Sequence, residues 1–194
     1  LAARLLARVR ANFGVEPGLR ALFAAPTLAG FAAAIDAAAA ADALPAPEPA
    51  PGDAPALSHG QERLWFLEQL DPGNPAYNVA WTIRCTGPLD STALTSALSA
   101  LVARHAALRS RFPAGGGRPS VVVEPDLPVA LDEHDLRAAD DPGGELAGRL
   151  RALARQPFDL ARGPLFRAAL FRTGDAAHHL LLVIHHIVTD ATSN

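Results

Sequence analysis

The sequence HHLLLVIHHIVTDA, residues 178–191, joins an uninterrupted apolar run to two adjacent histidines. The run Leu180–Ile184 has the character of a strand that is buried on both faces of a sheet. Side chains alternate along a strand, so His185 and His186 should point to opposite faces. One metal ion cannot take both as ligands without distortion, and only one of them can face a given pocket. We therefore predict no metal site here.

The chemistry of this histidine pair stays open on spacing alone. A histidine that ends a buried strand is by default a hydrogen-bonded core residue, although an imidazole can also accept a proton near neutral pH. Asp190, four residues after His186, could orient the imidazole, pair with an arginine or act as a polar turn residue. No Ser or Cys is paired with the histidines nearby, which argues against covalent catalysis.

The chain upstream mixes helical and strand patterns. Ser58 is a good N-cap for a helix over residues 58–70, and residues 77–87 alternate apolar and polar side chains as a strand does. Residues 90–112 give the longest predicted helix, with an apolar face that continues through His105 and Leu108. Further predicted elements are a strand at 119–124, a helix at 143–155 and a last strand through residue 188. This mixture indicates an α/β sandwich.

The first 56 residues have a different texture. Residues 1–38 show helical spacing in three short segments, the last of them capped by Thr27, and these bury too little surface to be stable alone. Residues 39–56 alternate proline and alanine, which is typical of an extended linker. We predict a domain boundary in this linker.

Composition excludes several functional classes. The net charge of −3 argues against a nucleic-acid partner. No apolar stretch reaches the ~20 residues that a membrane-spanning helix needs. Cys85 is the only cysteine, so no internal disulfide can form, which fits a cytoplasmic protein.

Three motifs carry a family resemblance. SHGQERLWFLEQL (58–70), RHAALRSRF (104–112) and HHIVTDA (185–191) resemble, in order and spacing, the first three core motifs of the condensation domains of nonribosomal peptide synthetases. PFDLARGPLFRAALFR (157–172) resembles the intervening segment of that family. LLARVRANFGVEPGLRALFAAPT (5–27) resembles the C-terminal part of a peptidyl carrier domain. The implied domains are a partial carrier (1–38), a linker (39–56) and the N-terminal lobe of a condensation domain (57–194).

The resemblance implies a fold and a reaction. The fold is that of chloramphenicol acetyltransferase, here its N-terminal lobe only, preceded by a partial all-α carrier bundle. The reaction joins an upstream carrier-bound acyl or peptidyl thioester to the amine of a downstream carrier-bound aminoacyl thioester. The cofactor is 4′-phosphopantetheine on the carrier domains, whose attachment serine is expected upstream of Leu1. The implied partners are the upstream and downstream carriers and an adenylation domain.

The resemblance also implies roles for individual residues. His186 corresponds to the second histidine of the family motif, which either takes a proton from the amine or positions it. His185 becomes a structural residue. Asp190 corresponds to an aspartate that forms a salt bridge, with Arg104, Arg109 or an arginine beyond Asn194 as partner.

Two positions depart from the family pattern. Ala191 stands where glycine is usual, and alanine in a left-handed conformation costs roughly 1–2 kcal/mol. Gly60 replaces the usual alanine, which we expect to matter little. The second lobe of the domain would lie beyond Asn194, so we expect the isolated fragment to be inactive.

Three alternatives remain from the sequence. An epimerisation domain also carries two histidines and an aspartate in this spacing, but SHGQERLWFLEQL and RHAALRSRF favour condensation. A heterocyclisation domain would have aspartate in place of His185. A non-catalytic docking fragment of a synthetase is the third alternative.

Overall fold

The computed structural model describes residues 2–38 and 56–190. Contacts between Cα atoms divide the chain into two units, Leu1–Ala50 and Pro51–Asn194. The predicted linker at 39–56 lies almost wholly outside the described residues, so its extended character and the domain boundaries stay predictions.

The described part of the first unit consists of three helices: α1 (Ala2–Phe13), α2 (Gly18–Ala24) and α3 (Leu28–Asp36). α1 is followed by Gly14, whose φ of 66° is easy for glycine and costly for other residues. Thr27 caps α3, because its Oγ1 accepts a hydrogen bond from the backbone N–H of Gly30 at 3.2 Å. The three predicted helices are confirmed, and their assignment to a carrier domain stays a prediction.

The second unit mixes helices and strands. Its helix α4 (His59–Leu70) begins after the predicted cap, Ser58, and the Ser58 and Gln61 side chains each hydrogen-bond the backbone of the other residue. Its remaining elements, in chain order, are β1 (Asn78–Thr86), α5 (Ser91–Arg104), β2 (Ser110–Arg111), β3 (Ala114–Gly115), β4 (Arg118–Pro119), β5 (Val122–Val123), β6 (Leu131–Asp135), α6 (Pro142–Arg155), β7 (Phe166–Gly174) and β8 (Ala177–His185), with α4 at His59–Leu70 and short 3₁₀ helices at Pro75–Tyr77, Ala106–Arg109 and His186–Val188.

Strand β8 lies inside a four-stranded sheet of order β1–β8–β7–β6. It pairs antiparallel with both β1 and β7, while β6 joins β7 in parallel. Every residue from Leu180 to Ile184 is buried or half-buried. The prediction of a strand covered on both faces is therefore confirmed.

Helices cover both faces of this sheet. On one face Trp81 lies opposite Leu182, and both line a groove with Leu101 of α5. His134, on the other face, lies with its Nδ1 3.0 Å from the guanidinium of Arg149 in α6. The α/β sandwich is thus confirmed, and its most deeply buried side chains are Phe112, Phe171, Leu165, Val102 and Val183.

The prediction of one long helix over residues 90–112 is wrong for its last third. α5 ends at Arg104, because His105 adopts an extended backbone with φ −108° and ψ 102°. A short 3₁₀ helix follows, and the chain then enters β2, so that Phe112 reaches the core with no exposed surface. Burial of this phenyl ring outweighs the helix propensity of the alanines and leucines before it.

The last strand is also shorter than predicted. β8 ends at His185, and the 3₁₀ helix His186–Val188, which we call the histidine turn, takes the place of the expected strand residues. His185 and His186 therefore differ in environment because the chain turns between them, and not only because strand side chains alternate.

No helix in the described ranges, 2–38 and 56–190, is long and apolar enough to cross a membrane.

Candidate active site

His185 is a buried residue at the end of β8. Only 2% of its surface is exposed, and its ring has the aromatic rings of Phe158 and Tyr77 as neighbours, with centroids at 6.2 and 6.4 Å. Its Nδ1 accepts a hydrogen bond from the backbone N–H of Ile187 at 3.2 Å. Burial, with a smaller contribution from the charge of His186, lowers the pKa of His185 to about 4. His185 is therefore neutral near pH 7, as a structural residue should be.

This buried imidazole predicts a pH dependence of stability. The pKa of His185 is lower in the folded state than the usual 6.5, so the unfolded chain binds the proton first as the pH falls. Its contribution is complete above about pH 6.5 and is lost toward pH 4, at up to about 3 kcal/mol. We expect His185→Asn, which keeps an acceptor for the Ile187 N–H but does not titrate, to flatten this slope in urea unfolding.

His179 contributes to the same pH dependence of stability. Burial, the charge of Arg84 and the charge of His178 lower its pKa as well, so the wild-type slope has more than one source. The informative quantity is the difference between the wild type and His185→Asn across pH 4–7. Parallel curves for the two proteins would contradict the assignment of the slope to His185.

His186 is exposed and lines a cleft. It is the first residue of the histidine turn, and the cleft has a volume of about 330 Å³. Polar side chains of Ser58, Gln61, Thr189 and Asp190 line the cleft together with His186. The structure thus brings His186 and Asp190 to one cavity, with the first turn of α4 as its opposite wall.

The contact between α4 and the histidine turn was not predicted from the sequence. The Gln61 side chain donates from Nε2 to the carbonyl oxygen of Ile187 at 3.2 Å. Ser58 and Gln61 have the spacing of a capping box, which indicates the start of a helix. That spacing carries no information about a partner 126 residues away, so no local signal could have predicted this contact.

Arg109 is held by the backbone. Its guanidinium donates to the carbonyl oxygens of Val102 at 3.2 Å, of Pro125 at 3.3 Å and of Glu124. It thereby joins the end of α5 to the segment that follows β5. Arg104 is the exposed last residue of α5. The predicted pairing of Asp190 with either arginine stays a prediction, and Asp190 itself lies exposed at the cleft.

The two departures from the family pattern have different outcomes. A Cβ added at Gly60 would lie 3.8 Å from Ser58 Oγ, its nearest neighbour in the described part of the chain, which is ordinary contact. Alanine would therefore fit there, in agreement with the expectation that this difference matters little. Ala191 lies outside the described residues.

An apolar groove adjoins the cleft of His186. It has a volume of about 660 Å³, and Ala107, Val188 and Thr189 line both cavities. Its other walls are mostly apolar and come from β1, β8, the end of α5 and the 3₁₀ segment that follows it: Ala80, Trp81, Thr82, Ile83, Leu101, His105, Leu108, Leu182 and Ile184. The exposed histidine thus lines a cleft that continues into an apolar groove. Within residues 2–38 and 56–190, no three His, Cys, Asp or Glu side chains are grouped to hold a metal ion.

Comparison with known proteins identifies similar chains. The family profile described as "Condensation domain" matches residues 53–194. A dimodular nonribosomal peptide synthase of Bacillus subtilis is 40% identical over 193 residues, covering 100% of this chain and 8% of that protein. Chondramide synthase of Chondromyces crocatus is 44% identical over 143 residues, covering 73% of this chain and 4% of that protein.

Two solved structures are similar to this chain in both sequence and fold. The starter condensation domain of rhizomide synthetase superposes with a TM-score of 0.67 at 28% identity, covering 73% of this chain and 34% of that one. The first condensation domain of the calcium-dependent antibiotic synthetase, in complex with a substrate analogue, gives 0.66 at 34% identity, with the same coverage. This chain therefore spans about a third of these structures and under a tenth of the two synthases.

Proposed function

Because this chain belongs to the condensation domains of nonribosomal peptide synthetases, we propose that it forms an amide bond between two carrier-bound substrates. The upstream carrier supplies an acyl or peptidyl thioester, and the downstream carrier supplies an aminoacyl thioester with a free amine. The fold expected from the sequence, the N-terminal lobe of the chloramphenicol-acetyltransferase type, supports this proposal, since the similar solved structures are condensation domains.

The observation that carries the proposal is the contrast between the two histidines. His185 is 2% exposed and held neutral by burial, whereas His186 is exposed at the cleft. A reacting group needs access to substrate, so His186 is the catalytic residue. Its imidazole accepts a proton or a hydrogen bond from the attacking amine, an α-amino group whose pKa is ordinarily near 7.7–8.0.

The bond changes balance within the two substrates. The amine nitrogen attacks the thioester carbonyl, a C–N bond forms and the C–S bond breaks. The proton that leaves the amine ends on the departing thiolate, with His186 as the group that holds it between. The phosphopantetheine arm of each carrier presents its acyl group as a thioester.

The cleft fits the end of such an arm. None of the described residues that line it is an arginine. The cleft therefore suits the amide and thioester end of the arm better than its phosphate, which would require cationic partners. The adjoining apolar groove suits an acyl chain or an apolar amino-acid side chain.

We also propose that helices α1–α3 are the C-terminal part of a peptidyl carrier domain. Their place before the condensation unit supports this, as does the match of the Bacillus subtilis synthase across the whole chain. The two carriers and an adenylation domain are the proposed partners.

A transfer assay tests the function. The intact synthetase is given an upstream carrier loaded with a labelled acyl group and a downstream carrier loaded with an amino acid. We expect the acyl group on the downstream carrier, detected as an increase in intact mass. Inversion at the α-carbon of the upstream residue without transfer would support an epimerisation domain, and no change on either carrier would support a docking fragment.

A further inference from the structure

Both backbone groups of Ile187, the residue directly after the catalytic histidine, are held by side chains. The Ile187 N–H donates to His185 Nδ1, and the Ile187 carbonyl accepts from Gln61 Nε2, each at 3.2 Å. Ile187 itself is only 3% exposed. The two peptide groups that flank Ile187 are therefore each held by one hydrogen bond, the first of them being the peptide that follows His186.

The side-chain amide of Gln61 is also held at its oxygen atom. Its Oε1 accepts a hydrogen bond from the Ser58 N–H at 2.9 Å, while its own N–H donates to Ser58 Oγ at 3.2 Å. With Oε1 engaged by the helix cap, Nε2 is the end of the amide that faces Ile187. The capping box therefore orients a donor toward the histidine turn.

We propose that Gln61 is a positioning residue for His186, an inference that rests on the proposed function. The hydrogen bond to Ile187 joins residues 126 positions apart and sets the wall of the cleft against the turn that carries the histidine. Small displacements of a reacting group lower rates strongly, by about 100-fold for 1 Å. A helix cap alone would need only Oε1 of Gln61.

The substitution Gln61→Glu separates these two roles. An ionised glutamate keeps an acceptor for the Ser58 N–H but has no donor for the Ile187 carbonyl. A glutamate, with a reference pKa of about 4.3, is ionised at the pH of the assay, so the variant keeps the cap and loses the hydrogen bond to Ile187.

We expect kcat of Gln61→Glu to be about 10-fold below wild type at pH 8, with KM for the loaded downstream carrier within about twofold.

Two controls accompany the variant in the intact synthetase. Gln69→Glu places the same charge on an exposed position of α4 and should leave kcat unchanged. Ser58→Ala removes the cap hydroxyl but leaves the Gln61–Ile187 bond, so it should lower the melting temperature while reducing kcat less than Gln61→Glu does. If Gln61→Glu does not fold, Gln61→Met replaces it, because methionine also lacks a donor for the Ile187 carbonyl.

The proposed role of Gln61 can fail without contradicting the proposed function. Wild-type kcat in Gln61→Glu, or in Gln61→Met when that variant is the one used, overturns the positioning role. That result leaves the function standing if His186→Ala is inactive in the same assay. Full activity of His186→Ala would instead overturn the function on which this inference rests.

Discussion

Replacing His186 with alanine should lower the single-turnover rate of amide-bond formation by about 100-fold or more, the usual contribution of a positioned general base. The change removes an exposed side chain that opens onto the cleft, so folding should be unaffected. The rate is measured with both carriers loaded, by quenching and intact mass. Binding of the loaded carriers should change little, because their larger contacts do not depend on one imidazole.

His59→Ala is the matched control for this experiment. His59 is the first residue of α4, and its side chain is fully exposed. The same histidine-to-alanine change there should leave the rate at the wild-type level. Retention of wild-type turnover by His186→Ala would rule out its catalytic role, and with it the mechanism proposed above.

Replacing Phe171 with alanine should cost about 3–5 kcal/mol of unfolding free energy, the usual range for a buried phenylalanine. Phe171 has no exposed surface, lies on β7 between β6 and β8, and stacks on His134 at a centroid distance of 4.8 Å. Because domains of this size are stable by only about 5–15 kcal/mol, the variant should be marginally folded. Urea unfolding followed by circular dichroism measures the loss.

Phe66→Ala provides the same chemical change at an exposed site. Phe66 lies on α4 with 57% of its surface exposed, so its removal should cost well under 1 kcal/mol. Equal losses for the two variants would contradict the placement of Phe171 in the core between the two helix layers.

The sequence predicted best those elements whose local pattern agrees with their tertiary environment. The apolar run of β8 and the caps at Ser58 and Thr27 need no information from elsewhere in the chain. The end of α5 was missed, because the burial of Phe112 and the carbonyl partners of Arg109 are long-range contacts. Strand β6 was missed as well, since LDEHD is largely charged and takes its place at the sheet edge only through pairing with β7.

The site was predicted only in part, again because some of its contacts are long-range. The difference between His185 and His186 was predicted from strand alternation, although the chain reaches it through a turn. The hydrogen bonds of His185 and Gln61 to the backbone of Ile187 form only in the folded chain, so the sequence did not predict them. A family resemblance supplies roles for His186 and Asp190 but not the contacts that orient them.

The pairing of β1 with β8 bears on how this protein is made. Asn78 lies opposite His185, so the two strands are about a hundred residues apart along the chain. A ribosome that adds about 5–20 residues per second needs roughly 5–20 s to supply the second strand after the first has emerged. During that interval Trp81 and Ile83 lack the neighbouring strand, and the nascent chain presents an apolar strand that is open to aggregation or to a chaperone. The histidine turn, which follows β8 directly, therefore forms later than most of the described elements of this unit.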